Sequence, residues 1–442
     1  MQRIHLKALC QYICKILLGM LIHDVKMSVA QDAQQMSFIK KSRILIRKYF
    51  LVFFLTTTAF AYYYIISDVL TNITTNFSIH QSDKTVIMGL FYIGIGVSTF
   101  AGAVLSNKYI SRGKLIHFWL LLAIFSSFLS FCIKNASISM LTMISLFWGI
   151  TVGLGMPSSL ALFADSTVVE TRGRRGGLLA FVFNACLFGL ALLLGELTSS
   201  SKVQAFMIWL GFSFIFSILL RKEIMNITQE TKNPKLLLIL RERRFMLYLI
   251  PWIMFCLVNS LEAPIVRNFF GNEFFEFVIV TESAISSIFA IVGGFFADNV
   301  GRKIMAIIGF VVLGVGYAVL SLFSNVQTFW YLYIVVDGIA WGIFVVLFFL
   351  VLWGDLAGNM LKEKYYLLGG WPFLLSWFVQ LIIEPYVASI SIYAAFSLAA
   401  FFLFVAVVPL MFAPETLPEK KIKERELKKY IEKAKKVKEK YG

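Results

Sequence analysis

Two carboxylic acids sit inside long apolar stretches, where an ionised side chain is costly. Glu282 lies within the apolar run 274–296 and Asp337 within the run 328–353. Each is about eight or nine residues in, roughly 12–14 Å along a helix that rises 1.5 Å per residue. An ionisable group retained at such a depth marks a pathway or a proton relay, unless it only bonds a neighbouring helix. A carboxyl shielded from water can take up and release a proton near neutral pH, so Glu282 and Asp337 are the candidate proton carriers. Asn184, Asn259 and Gln380 are amides at similar places, suited to hydroxylated solutes or to joining helices. Tyr62, Tyr63 and Tyr64 point in three helix directions, and Tyr63 is taken to face a cavity. Asp68, Glu196, Glu262 and Glu384 lie near the other ends of apolar runs and read as solvated boundary carboxylates.

Chemistry of other kinds is not indicated. The five cysteines form neither a disulfide framework nor a metal site. No intramembrane histidine cluster, Walker sequence or nucleophile elbow is present, so the expectation is no enzyme, no cofactor and no metal.

The elements that must position these residues are apolar runs of about 20 residues. The 442-residue chain is 59% hydrophobic and 15% charged, with mean hydropathy +0.79. A soluble domain carries about 25% charged residues, and runs of this length match ~30 Å of hydrocarbon crossed as a helix. Twelve are found, near 49–69, 84–106, 115–133, 138–163, 177–199, 203–220, 245–266, 274–296, 304–323, 328–353, 367–388 and 391–412. Of the 41 Lys and Arg residues, 37 fall on one side of this arrangement and only Lys84, Lys134, Lys202 and Arg267 on the other. The positive-inside rule places the crowded side, with both termini, in the cytoplasm. The net charge of +16 therefore reports topology and not nucleic-acid binding.

The expected organisation is a basic cytoplasmic segment 1–48, a six-helix bundle 49–220, a cytoplasmic linker 221–244, a second bundle 245–413 and a basic tail 414–442 that can meet anionic lipids. The N-terminal segment reads as an interfacial amphipathic stretch, with Met27 or Met36 as alternative starts.

Landmarks repeat between the halves. Gly102 precedes Ser106 and Asn107-Lys108, with Arg112-Gly113-Lys114 following. Gly294 precedes Asp298, Asn299 and Gly301-Arg302-Lys303, 192 residues later. Asp165 after the fourth run and Asp355 after the tenth are 190 apart, and each is followed by charges and a glycine pair. Paired halves suit a site at their interface that opens alternately to each side. Physically, Gly294 permits close helix approach, Asp298 can accept from a helix N-terminus and pair with an arginine, and Gly301 permits a sharp turn. Arg302 and Lys303 would anchor at lipid headgroups.

The stretch 294–303 resembles the loop signature of the major facilitator superfamily, departing only at Asn299, and lies between spans eight and nine where that family carries it. Glu170-Thr171-Arg172-Gly173 and Pro414-Glu415-Thr416 resemble elements of its sugar-porter-like members. The resemblance implies an all-α integral membrane protein of 12 transmembrane helices in two pseudo-symmetric six-helix bundles, acting as a monomer. It also implies a cytoplasmic gate at Gly294, Asp298, Gly301, Arg302 and Lys303 that latches an outward-facing state. Asp165, Glu170, Arg172 and Asp355 are taken to join it. Because Ser106 replaces the acid in the first-half copy, gating and coupling are expected to lean on the C-terminal half.

The function expected is proton-coupled secondary transport of a small organic solute across the cell membrane by alternating access. No Lys or Arg lies deep in a span, which disfavours multivalent anions and leans toward a neutral or cationic solute, sugar-like or a related metabolite. The alternatives are proton-coupled drug or cation efflux, and a receptor or sensor on a transporter scaffold. The tail, about 29 residues long, is short for a signalling domain.

Overall fold

In hydrocarbon a backbone must satisfy its own polar groups, which restricts an unbroken apolar chain of this kind to helices. The computed structural model describes residues 38–76, 79–106, 109–194, 197–221, 232–387 and 390–418, with Leu427, Tyr430, Ile431 and Ala434 of the tail. The basic segment before residue 38, residues 222–231 of the linker, most of the tail and the boundary acid Glu196 lie outside the described residues.

Among the described residues, twelve long helices follow in order. The first six are α1 (Phe38–Asn76), α2 (Gln81–Leu105), α3 (Arg112–Ser127, extended by a 3-10 turn Phe128–Asn135), α4 (Ile138–Ser166), α5 (Arg172–Leu194) and α6 (Ser199–Leu219). After a short helix Leu236–Arg241 come α7 (Arg243–Phe270), α8 (Asn272–Asn299), α9 (Arg302–Phe323), α10 (Gln327–Ala357), α11 (Lys362–Val387) and α12 (Ile392–Phe412). No strand is found among the described residues. Among the described residues, eleven of the helices are long and apolar enough to cross a bilayer by length and composition alone; α5, whose described part ends at Leu194, packs along α8.

Alternation of direction puts the start of α1 and the end of α12 on one face, here called the basic face, with the opposite one the far face. The halves meet along two matched seams, α5 against α8 and α2 against α11. Small residues make the first seam tight. A Cβ at Gly177 would collide with the carbonyl oxygen of Ala290, and one at Gly294 with that of Gly173. Without a hydrophobic force between helices in lipid, such close backbone packing is what holds them together. Inside the first half, Gly94, Gly149 and Gly153 bring α2 and α4 together in the same way.

The α10 helix departs from regular winding at a π-helical stretch, Val345–Val351. Such over-wide turns commonly accompany functional sites. Here the stretch supplies Val345, Phe349 and Leu350 to the wall of an interior chamber.

Candidate functional site

Two charge clusters join the halves at the basic face. In the first, Arg112 at the start of α3 pairs through Nε with Glu363 Oε1 at 2.6 Å and through Nη2 with Oε2 at 3.1 Å, while its Nη1 meets Asp165 Oδ2 at 2.6 Å. Lys362 pairs with the other oxygen of Asp165, and Ser106 Oγ donates to Glu363 Oε1 at 2.6 Å. Arg112 and Asp165 belong to the N-terminal half, Lys362 and Glu363 to the C-terminal half. Two cations thus meet two acids, with Arg112 and Glu363 almost wholly buried. Buried ions at this density are tolerated only when their hydrogen bonds are satisfied.

In the second cluster, Asp298 at the end of α8 accepts from the backbone N–H of Gly173 at 2.9 Å and of Arg174 at 2.8 Å, the first turn of α5. A carboxylate there meets both orphan donors and the positive end of the helix dipole. Arg302 Nη2 lies 2.9 Å from Asp298 Oδ1 and its Nε 3.3 Å from Asp355 Oδ2. Its Nη2 also donates to Val169 O, across the halves, at 2.6 Å. Arg172 pairs with Asp355 and donates to Ala164 O at 2.7 Å. Gly301 adopts φ +130, and behind it Glu415 accepts from the N–H of Arg302 at 2.9 Å and of Lys303 at 3.2 Å.

Behind these clusters lie two cavities. One, of about 500 Å3, extends from Lys84, Asp68, Arg267 and Glu384 near the far-face helix ends to Glu262, Glu282 and Asp337 in the interior. The rim acids are paired, Asp68 with Lys202 at 2.9 Å and Glu384 with Arg267 at 3.7 Å. The deep acids have no cationic partner among the described residues. Glu282 and Asp337, on α8 and α10, come within hydrogen-bonding reach of one another. Neither Glu282 Oε1 nor Asp337 Oδ1 has a donor. Two carboxyls so placed are bonded when they share a proton and repel when both are ionised. Glu262, on α7, instead accepts from the phenol of Tyr317 on α9. The second cavity, about 240 Å3, is apolar and shares Tyr63, Tyr64, Trp341 and Phe373 with the first.

Comparison with known proteins meets this geometry at the level of the fold. The sequence profile of the Major Facilitator Superfamily matches residues 49–277, more than half of the chain. The chain belongs to this superfamily. Comparison with curated proteins gives no match. Among solved structures, the proton:xylose symporter XylE bound to 6-bromo-6-deoxy-D-glucose is similar with a TM-score of 0.65 at 14% identity, over 85% of this chain and 97% of that one. The human organic anion transporter MFSD10 (TETRAN) is similar with a TM-score of 0.62 at 12% identity, over 83% and 99%. The all-helical, two-bundle architecture is that of a superfamily transporter, a multi-pass membrane protein that carries small molecules.

Asn259 and Gln380 line the larger cavity and Tyr63 lines both, but Asn184 is half-buried on α5 and lines neither. Asn259 Oδ1 accepts from Trp341 Nε1 at 3.1 Å. Arg302 does not reach for headgroups: it is 0% exposed, because its guanidinium bridges Asp298 and Asp355. Lys303 donates to Met411 O at 2.7 Å. Glu170 is half-buried in the 3-10 turn Val169–Thr171. Glu262, read as a solvated boundary acid, is 7% exposed, because α7 turns it toward Tyr317. The first half carries a charge cluster of its own despite Ser106, since α11 supplies an acid there as Glu363.

The sequence places Arg112 in the first-half motif copy without a partner or a role, and Lys362, Glu363 and Tyr317 were passed over. A signal for three of them was present: Arg112 stands 190 residues before Arg302, and Lys362-Glu363 occupies the connection that matches Glu170. Tyr317 carries no such signal, as one tyrosine in an apolar run.

Proposed function

We propose that this protein is a proton-coupled secondary transporter of a small neutral or cationic organic solute. It works by rocking its two halves about the cavity, with the basic face in the cytoplasm of a cell-membrane protein. The observation that carries the reading is the Glu282–Asp337 pair at the inner end of the larger cavity, two carboxyls in mutual reach with no cation beside them. One proton held between them stabilises the pair, and its loss leaves two like charges in a low-dielectric interior. Protonation and cavity opening are then linked through α8 and α10.

The clusters at Arg112–Glu363 and Asp298–Arg302 close the basic face in this arrangement, so solute enters from the far face. Rocking must break both clusters together, which gives the cycle two discrete states. XylE, a proton:xylose symporter, has the same fold with this kind of coupling. The cargoes of XylE and MFSD10, a sugar and organic anions, differ, so the solute must be argued from the cavity.

The test is uptake into proteoliposomes across a panel of sugars, organic acids, amino acids and cationic dyes, with and without a pH gradient. Asp337→Asn and Glu282→Gln are expected to abolish uphill uptake while sparing exchange. Unchanged pH-driven accumulation in both variants would remove the assignment.

A further inference from the structure

The unsatisfied polar atoms at the inner end of the larger cavity are all acceptors. Glu282 Oε1, Asp337 Oδ1 and Gln380 Oε1 are buried without a donor, and all three residues line that cavity. Gln380, on α11, is 7% exposed and Asp337 2%. A buried amide oxygen without a partner costs the full desolvation of that group, and it points to a ligand that brings N–H or O–H groups. Two neighbouring carboxyls with no cation among the described residues further favour a ligand that brings positive charge.

The adjoining chamber has the opposite character. Phe60, Phe183, Phe349 and Trp371 help form its wall, and several of its polar atoms are already occupied. Tyr366 donates to Leu350 O at 2.6 Å, and Trp371 Nε1 donates to Thr99 Oγ1 at 3.4 Å. Trp341 Nε1 is taken by Asn259. A polyhydroxylated solute would lose its hydration there and find few replacements. Aromatic faces suit an apolar or aromatic body and attract a cation placed over them.

We propose that the site takes an amphipathic amine, with its ammonium among Glu282, Asp337 and Gln380 and its apolar body in the aromatic chamber. The inference rests on reading this cavity as the transport site, and it names the solute class.

The test is equilibrium binding to the full chain in nanodiscs, with no gradient present. The probes are 1-naphthylmethylamine, its neutral counterpart 1-naphthylmethanol, ethylamine and D-xylose. The naphthyl amine is expected to bind at least tenfold tighter than each of the others. Asp337→Asn and Gln380→Leu should each reduce the amine-over-alcohol ratio severalfold. Phe183→Ala and Phe349→Ala should weaken both naphthyl probes together and leave that ratio intact. Equal binding of amine and alcohol by the unaltered protein, or tighter binding of D-xylose, overturns the proposal without reliance on any variant. Amine binding as stated with no pH-driven movement would keep this inference and remove the coupling. Proton-driven uptake of D-xylose with no amine binding would do the reverse.

Discussion

Ser106 Oγ donates to Glu363 Oε1 across 2.6 Å, and that bond joins α2 of one half to α11 of the other. In the second half the equivalent of Ser106 is Asp298, which faces backbone N–H groups of α5 instead of an acid. The acid has in effect changed sides of the seam. Where Asp298 ends α8 and the opposing helix offers donors, Ser106 ends α2 as the donor and the opposing helix carries the acid.

Restoring an acid at position 106 should therefore damage the protein. Ser106→Asp would place a carboxylate against Glu363 in a buried cluster, where an uncompensated charge costs about 3–5 kcal/mol. The closed basic face should open, read as a longer distance between spin labels at Lys114 and Arg243, which are exposed on opposite halves. Adding Glu363→Gln should bring the short distance back. An unchanged distance in the single variant would show that the bond does not hold the face shut.

The α5–α8 seam makes a steric prediction. A side chain at Gly294 meets the Gly173 carbonyl oxygen, which is backbone and cannot rotate away. Gly294→Val should separate the helices at a cost of about 1–3 kcal/mol, with Asp298 pulled from its two N–H donors. Gly189→Ala, where an added Cβ meets nothing within 4 Å, is the control. Thermal unfolding in detergent and the same spin-label distance should both respond to the first variant and to neither extent in the second.

Tyr317 and Glu262 form a buried pair that does not join the halves. Tyr317→Phe leaves the Glu262 carboxyl without its donor and should cost about 1–3 kcal/mol. Replacing both, with Glu262→Leu in addition, should recover most of the loss, since two apolar partners leave nothing unsatisfied. A double-mutant cycle on thermal stability measures the coupling. Additive losses would mean that the bond contributes nothing of its own.

Much of this was legible in the sequence for a local reason. A helix that crosses lipid declares itself by an apolar run of fixed length, so α1 to α12 were readable one at a time. Gly294 was readable because it repeats Gly102 after 192 residues, and Asp298 and Gly301 because they follow it at short local spacings. The partners of these residues were not. Glu363 lies 251 residues from Arg112, and no periodicity along the chain says which helix end faces which.

Composition and order alone thus determined a polytopic helical protein in two related halves, with acids at unusual depth in α8 and α10. Only the tertiary structure decided that Glu282 and Asp337 come together, that Glu262 accepts from Tyr317, and that Gln380 lines the same cavity with its oxygen unpaired. The physical reason is that depth along a helix is a property of one segment, set by hydrophobic length. Which face meets which neighbour is set by packing between segments, through close glycine contacts and buried charges that must find partners from the other half.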